Sequence, residues 1–166
     1  MFFMITKEQF VQNLVREIDI IKHLAEKVDS TKLDYRPTEK QRSTLELLQY
    51  LGQMVHTGVS AYIAGDQALY VELSKNKDAV TFENFISKMD EQSKFAEEAI
   101  GALSEEDMKR ESTIWGTTAP LALQLLGVLK NVVAYKMQLF LYIKACGNAN
   151  IGTSNLWAGV DMPPKE

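Results

Sequence analysis

The stretch from Thr118 to Gly147, TAPLALQLLGVLKNVVAYKMQLFLYIKACG, most constrains what this chain can fold into. It reads as one long, largely buried helix. Pro120 suits the first turn, where its missing N–H would go unpaired anyway. Gly147 suits the left-handed position just past the end, and Lys144 places a positive charge near the negative pole. At helical spacing Leu121, Leu125, Val128, Val132, Tyr135, Leu139, Tyr142, Ile143 and Cys146 share one face. The opposite side is apolar too, with Leu126, Val133, Met137, Phe140 and Leu141 beside Lys130 and Lys144. A helix apolar on two faces has to be covered on both. One face meets a bundle core; the other needs the C-terminal tail, a second copy of the chain, or a partner. The segment is long enough for a membrane span. Against that reading stand Gln124, Lys130, Asn131, Lys136 and Gln138, which are costly in lipid.

The rest of the chain supplies helices of matching length. Thr6-Lys7-Glu8-Gln9 fits a capping box, and Phe10, Leu14, Ile18, Ile21 and Leu24 follow at helical spacing. Asp29 to Arg42 is a connection, because Pro37 pushes Arg36 into extended geometry. Ser43 and Glu46 form a second capping box, SxxE, opening a helix with Leu47, Leu48, Leu51, Met54, Val55, Tyr62 and Ile63 on its apolar side. Gly52, Gly58 and Gly65 weaken it, with a bend or break expected towards Gly65. A short helix is expected around Ala68 to Ser74. A third long helix is expected from near Thr81, burying Phe82, Phe85, Ile86, Met89, Ala96 and Ile100. Ser104 to Thr117 reads as a link with a short extended segment. In the tail, Asn148 to Glu166, Trp157 is expected to anchor the chain onto the bundle. With almost no strand signal, the expectation is an all-α four-helix bundle with a packed C-terminal tail, residues 1–166 forming one domain.

Composition narrows the function classes. At 166 residues the chain is long enough for a real core. The net charge of −4 gives no electrostatic reason to expect nucleic-acid binding. Cys146 is alone, which fits a reducing compartment. The start, MFFMIT, is too short for a signal-peptide core, and Met4 could be the natural start; the expected location is cytoplasmic, with no membrane span. GxSxG, HExxH, CxxC and phosphate-binding glycine loops are absent. Glu97-Glu98 and Glu105-Glu106-Asp107 read as solvated surface and a helix-end turn. Cys146 ends an apolar face, where a thiol is usually inert.

Four passages in order resemble one family. LDYRPTEKQRSTLELLQYL is similar to a family run of an aromatic residue, Arg-Pro, a polar stretch and a helix-starting Ser. The helix order matches. NVVAYKMQLFLYIKACG resembles a fourth-helix run of two histidines four apart, then Arg-Gly-Gln-Leu and a final Gly. SNLWAGVDMP resembles the tail. On these passages, which span almost the whole chain, it resembles the DinB/YfiT-like superfamily of four-helix bundles.

That resemblance implies a divalent metal, often nickel or zinc, held by one histidine on the second helix and two on the fourth. Its ligand positions fall at Tyr50, Asn131 and Tyr135, so none is histidine here. The Arg-Gly pair is Lys136-Met137, while Gln138 and Leu139 match. Asn131 and Tyr135 are four apart and share a helix face. A neutral amide and a phenol of pKa about 10 are poor ligands for a borderline metal. His56 lies about 120° round the helix from Tyr50, and His23 is on another helix. The expectation is therefore no metal and no cofactor. Two readings of the ligand positions stay open. Tyr50, Asn131, Tyr135 and Gln138 line a remodelled small-ligand pocket, or the first three fill the old metal cavity as a polar core cluster. The expected function is a non-catalytic small-ligand-binding or interaction protein, a homodimer through Val133, Met137 and Phe140. The alternative is a metal-dependent hydrolase or low-molecular-weight thiol transferase of the DinB/YfiT type.

Overall fold

The computed structural model describes residues 5–162. The apolar Met1–Met4 at the start and the last four residues, 163–166, lie outside the described residues. Helix α1 (Lys7–Ala25) opens on the Thr6 capping box, in which Thr6 Oγ1 accepts from Gln9 N–H and Gln9 Oε1 accepts from Thr6 N–H. Helix α2 (Thr44–Ala64) opens on the equivalent Ser43–Glu46 box. It ends at Gly65 in the left-handed conformation, φ +66°. Helix α3 (Gln67–Ser74) follows at once, capped by Asp66.

Helix α4 (Phe85–Gly101) begins one turn later than the sequence suggests. Thr81 and Asn84 bond reciprocally: Thr81 N–H donates to Asn84 Oδ1 and Asn84 N–H to Thr81 Oγ1. The three residues after Thr81 make a turn rather than the first turn of the helix. A short helix α5 (Glu105–Lys109) leads into a β-hairpin of β1 (Glu111–Ile114) and β2 (Thr117–Pro120), paired antiparallel with Ile114 opposite Thr117. Helix α6 (Leu121–Ala145) therefore starts after the hairpin, not at Thr118. Its end is marked by Gly147 at φ +102°. Helix α7 (Thr153–Ala158) belongs to the tail.

Helices α1, α2, α4 and α6 form the bundle. α1 packs on α4 and α6, and so does α2, which puts α1 and α2 on one diagonal. The apolar stripes converge on one core that includes Leu14, Ile18, Leu48, Leu51, Leu125 and Leu139, all fully buried. Each such side chain contributes about 1.5–3 kcal/mol of transfer free energy. The fold is an all-α bundle carrying one small hairpin. No helix among the described residues is long and apolar enough to cross a membrane.

Two packing details depart from the sequence reading. In the tail, Ile151, Asn155 and Leu156 are buried, while Trp157 is 58% exposed. The anchors are thus Leu156 and Asn155, whose amide bonds His23 Nε2 at 3.0 Å and Asp161 at 2.7 Å. Trp157 instead lies over the Lys136 ammonium, 5.3 Å from ring centre to Nζ. On α6, Phe140 is buried at 8% exposure, so it belongs to the core and not to a free outer face. Met137 is exposed and Val133 half-buried.

Within α2, the Gln92 amide of α4 accepts from Val55 N–H at 2.8 Å and donates to the Leu51 carbonyl at 2.9 Å. Those are the two groups that an uninterrupted helix would bond to each other. A side chain inserted there is a recognised cause of helix bending. It sits one residue beyond Tyr50.

Candidate functional site

The site grows from one face of α2. Tyr50, Met54, Gly58 and Tyr62 follow at intervals of four and line one cleft. From α6, Val128 and Asn131 face them. Gly58 keeps the wall thin: a Cβ there would stand 3.2 Å from Val128 Cγ2. Tyr70 of α3 and Trp115 of the hairpin turn close the remaining sides. The space between them is about 300 Å³, the lower end of small-molecule sites.

Aromatic rings dominate it. Trp115 meets Tyr62 edge-on at 5.5 Å and Tyr70 at 5.2 Å between ring centres. Tyr50 meets Tyr135 at 4.7 Å, also edge-on. These separations suit the ring quadrupole. Arg42 lays its guanidinium over Tyr50, 4.2 Å from the ring centre, and 5.6 Å from that of Tyr135. The Tyr50 and Tyr70 hydroxyls bond each other at 3.4 Å. Burial pushes the Tyr50 phenol well above its usual range, and the Tyr70 hydroxyl adds to the shift.

Trp115 holds a costly backbone. It is the one non-glycine residue with positive φ among those described, at +50°, and Gly116 follows at +73°. Two positive φ values at the centre of a two-residue hairpin turn are those of a type I′ turn, where Asn-Gly is usual. A bulky residue there is strained. Its N–H donates to Gln67 Oε1 at 3.1 Å, which ties the turn to α3. From the other side, Gln124 of α6 bonds Ser112 twice and the Arg110 guanidinium donates to the Ile63 carbonyl at 2.6 Å. The hairpin is fixed to three helices, and Trp115 is pressed onto the cleft.

Of the residues expected to form a pocket, Tyr50 and Asn131 line this cleft, and Tyr135 packs on Tyr50. Asn131 is exposed at the edge rather than buried, because the cleft opens outward there. Gln138 lies elsewhere: it donates to the Tyr142 hydroxyl at 2.8 Å, which in turn donates to the Arg42 carbonyl. Tyr62, Tyr70, Trp115 and Arg42 are additions. The i, i+4 run Tyr50–Met54–Gly58–Tyr62 was the available signal for Tyr62; the others come from separate segments.

A divalent metal does not fit these residues. Tyr50 keeps its proton, its oxygen is engaged by Tyr70, and a guanidinium sits over its ring. A borderline cation prefers imidazole or thiolate. Among the described residues no group of three or more His, Cys, Asp or Glu is placed to hold a metal. His56 meets Phe95 edge-on at 4.4 Å between ring centres, and burial lowers its proton affinity. Burial raises the Cys146 thiol, so it is not activated as a nucleophile.

No family model and no curated protein matches the chain in sequence. Among solved structures it is similar to a DinB-like protein, YjoA, from Bacillus subtilis. The identity is 19%, the match covers 87% of this chain and 95% of that one, and the TM-score is 0.68. At that identity the likeness shows the fold: the bundle is DinB-like in architecture.

Proposed function

We propose that this is a non-catalytic small-ligand-binding protein, located in the cytoplasm, whose aromatic cleft takes a planar organic molecule. The observation that carries this reading is Trp115. A large side chain is held in a strained turn, 46% exposed, against two tyrosines at the rim of an open cavity. Strain of this kind concentrates where a site is pre-organised. Tyr62, Tyr70 and Trp115 supply ring faces and edges, and Asn131 supplies an amide at the mouth. Metal-dependent hydrolysis or thiol transfer would need a Lewis acid, for which Tyr50, Asn131 and Tyr135 are an unsuitable donor set.

The test is binding of planar aromatic fragments, 2-naphthamide among them, followed by ligand-observed NMR and by Trp115 fluorescence in a Trp157→Phe background. Fragments should bind the parent protein, and Trp115→Ala should weaken them at least about tenfold, the order expected for losing one well-packed aromatic contact and its buried area. No binding at millimolar concentration, or binding indifferent to Trp115→Ala and Tyr62→Ala, overturns the reading.

A further inference from the structure

Beside the aromatic cleft lies a second, larger hollow of about 440 Å³. The two share Tyr50 and Tyr70, so the phenol pair is the partition between them. The second hollow has a different chemistry. Its wall carries Arg36, Lys40, Arg42 and Lys77 and one acid, Glu46. Glu46 is already committed: it accepts from Ser43 N–H at 2.6 Å and pairs with Arg36 at 3.3 Å. Lys40, Arg42 and Lys77 have no side-chain hydrogen bond or ion pair among the described residues. Arg42 rests on the Tyr50 ring and Lys77 acts on Glu46 only through space, so four cations face one acid around this concavity, in a chain of net charge −4. Such a lining concentrates anions.

The partition adds a donor. Two hydroxyls bonded to each other use one proton of two, leaving one O–H to give to a third group. Burial holds the Tyr50 phenol above its usual range, so that hydroxyl keeps its proton.

We propose that this hollow is an anion subsite and that the ligand is a planar organic anion, its ring in the aromatic cleft and its carboxylate or phosphate among Lys40, Arg42 and Lys77. The inference rests on the aromatic-cleft reading and specifies its ligand's charge. The anion would take the free O–H of the Tyr50–Tyr70 pair and bridge the two hollows.

The experiment compares 2-naphthoate and 2-naphthyl phosphate with neutral 2-naphthamide by calorimetry. It uses the parent protein and a Lys40→Gln/Lys77→Gln variant. Both lysines are exposed, so the variant should melt with the parent. The anions should bind more tightly than the amide, and the variant should weaken them about tenfold, as two partly screened charges imply. The amide's affinity should change less than about twofold, and added salt should weaken the anions alone. The tighter of the two anions identifies the headgroup. Equal affinity for anions and amide, or indifference of the anions to the variant, overturns this inference while leaving the aromatic cleft standing. If neither the anions nor the amide bind the parent protein, both readings fall together.

Discussion

At the scale of single residues, the most consequential group outside the cleft is Lys136. It is 1% exposed, on the inner side of α6, with its ammonium 2.6 Å from Glu17 Oε2 of α1. The contact is close but poorly directed: neither atom makes a hydrogen bond of good geometry among the described residues. Taking both charges out of water is expensive, and the pair recovers that cost only while both partners are present. Lys136→Met alone strands the Glu17 carboxylate, and Glu17→Leu alone strands the ammonium. Each should cost about 3–5 kcal/mol. The double variant, apolar on both sides, should regain most of the loss and can exceed the parent. Urea unfolding of all four proteins reads this as a coupling energy. Single variants costing less than about 1 kcal/mol would mean that water reaches the pair. In the sequence, Lys136 reads only as a departure from an Arg-Gly pair; its partner lies on another helix and leaves no trace there.

At the scale of elements, what was legible is what is local. The boxes at Thr6 and Ser43 set the starts of α1 and α2 because four consecutive residues contain the whole interaction. Gly65 and Gly147 ended helices as their positive φ requires. Near Thr81 the expected helix start falls a turn early, since Thr81 and Asn84 bond reciprocally without the backbone turning α-helical. In the sequence the hairpin reads only as an extended segment, because no Asn-Gly or Asp-Gly marks its turn. That turn makes a prediction of its own. Placing Trp115 at φ +50° costs about 1–2 kcal/mol. Its two edge-on ring contacts return about 0.5–1.5 kcal/mol each. Trp115→Gly removes both sides of that balance, so its unfolding free energy should stay within about 1 kcal/mol of the parent while aromatic ligands are lost. A much larger drop, measured by urea unfolding, would make Trp115 a structural pin of the hairpin instead of a ligand residue. The site as a whole escaped the sequence for a related reason. Tyr50, Met54, Gly58 and Tyr62 declare themselves by spacing, but Arg42, Tyr70 and Trp115 converge only once α3 and the hairpin have docked.

At the scale of the molecule, α6 remains apolar on a side that the bundle leaves open. Leu123, Leu126, Met137 and Leu141 are 58%, 40%, 37% and 55% exposed. With Lys130 and Ala134 between them, they recur every three or four residues along nearly the full helix, which makes one continuous stripe. The tail does not cover it, since α7 packs mainly on α1. A stripe that runs the length of one helix is self-complementary under a two-fold axis, so a second copy of this chain is the occupant we propose. The expected contact residues therefore shift from Val133 and Phe140 to Leu126, Met137 and Leu141, with Phe140 retained inside the protomer. Leu126→Asp/Leu141→Asp should turn a dimer into a monomer in sedimentation at micromolar concentration. Because both side chains are exposed, the monomer should keep its helical signal and its affinity for cleft ligands. A parent protein that sediments as a monomer at hundreds of micromolar removes the dimer. A variant that still dimerises moves the interface off this face.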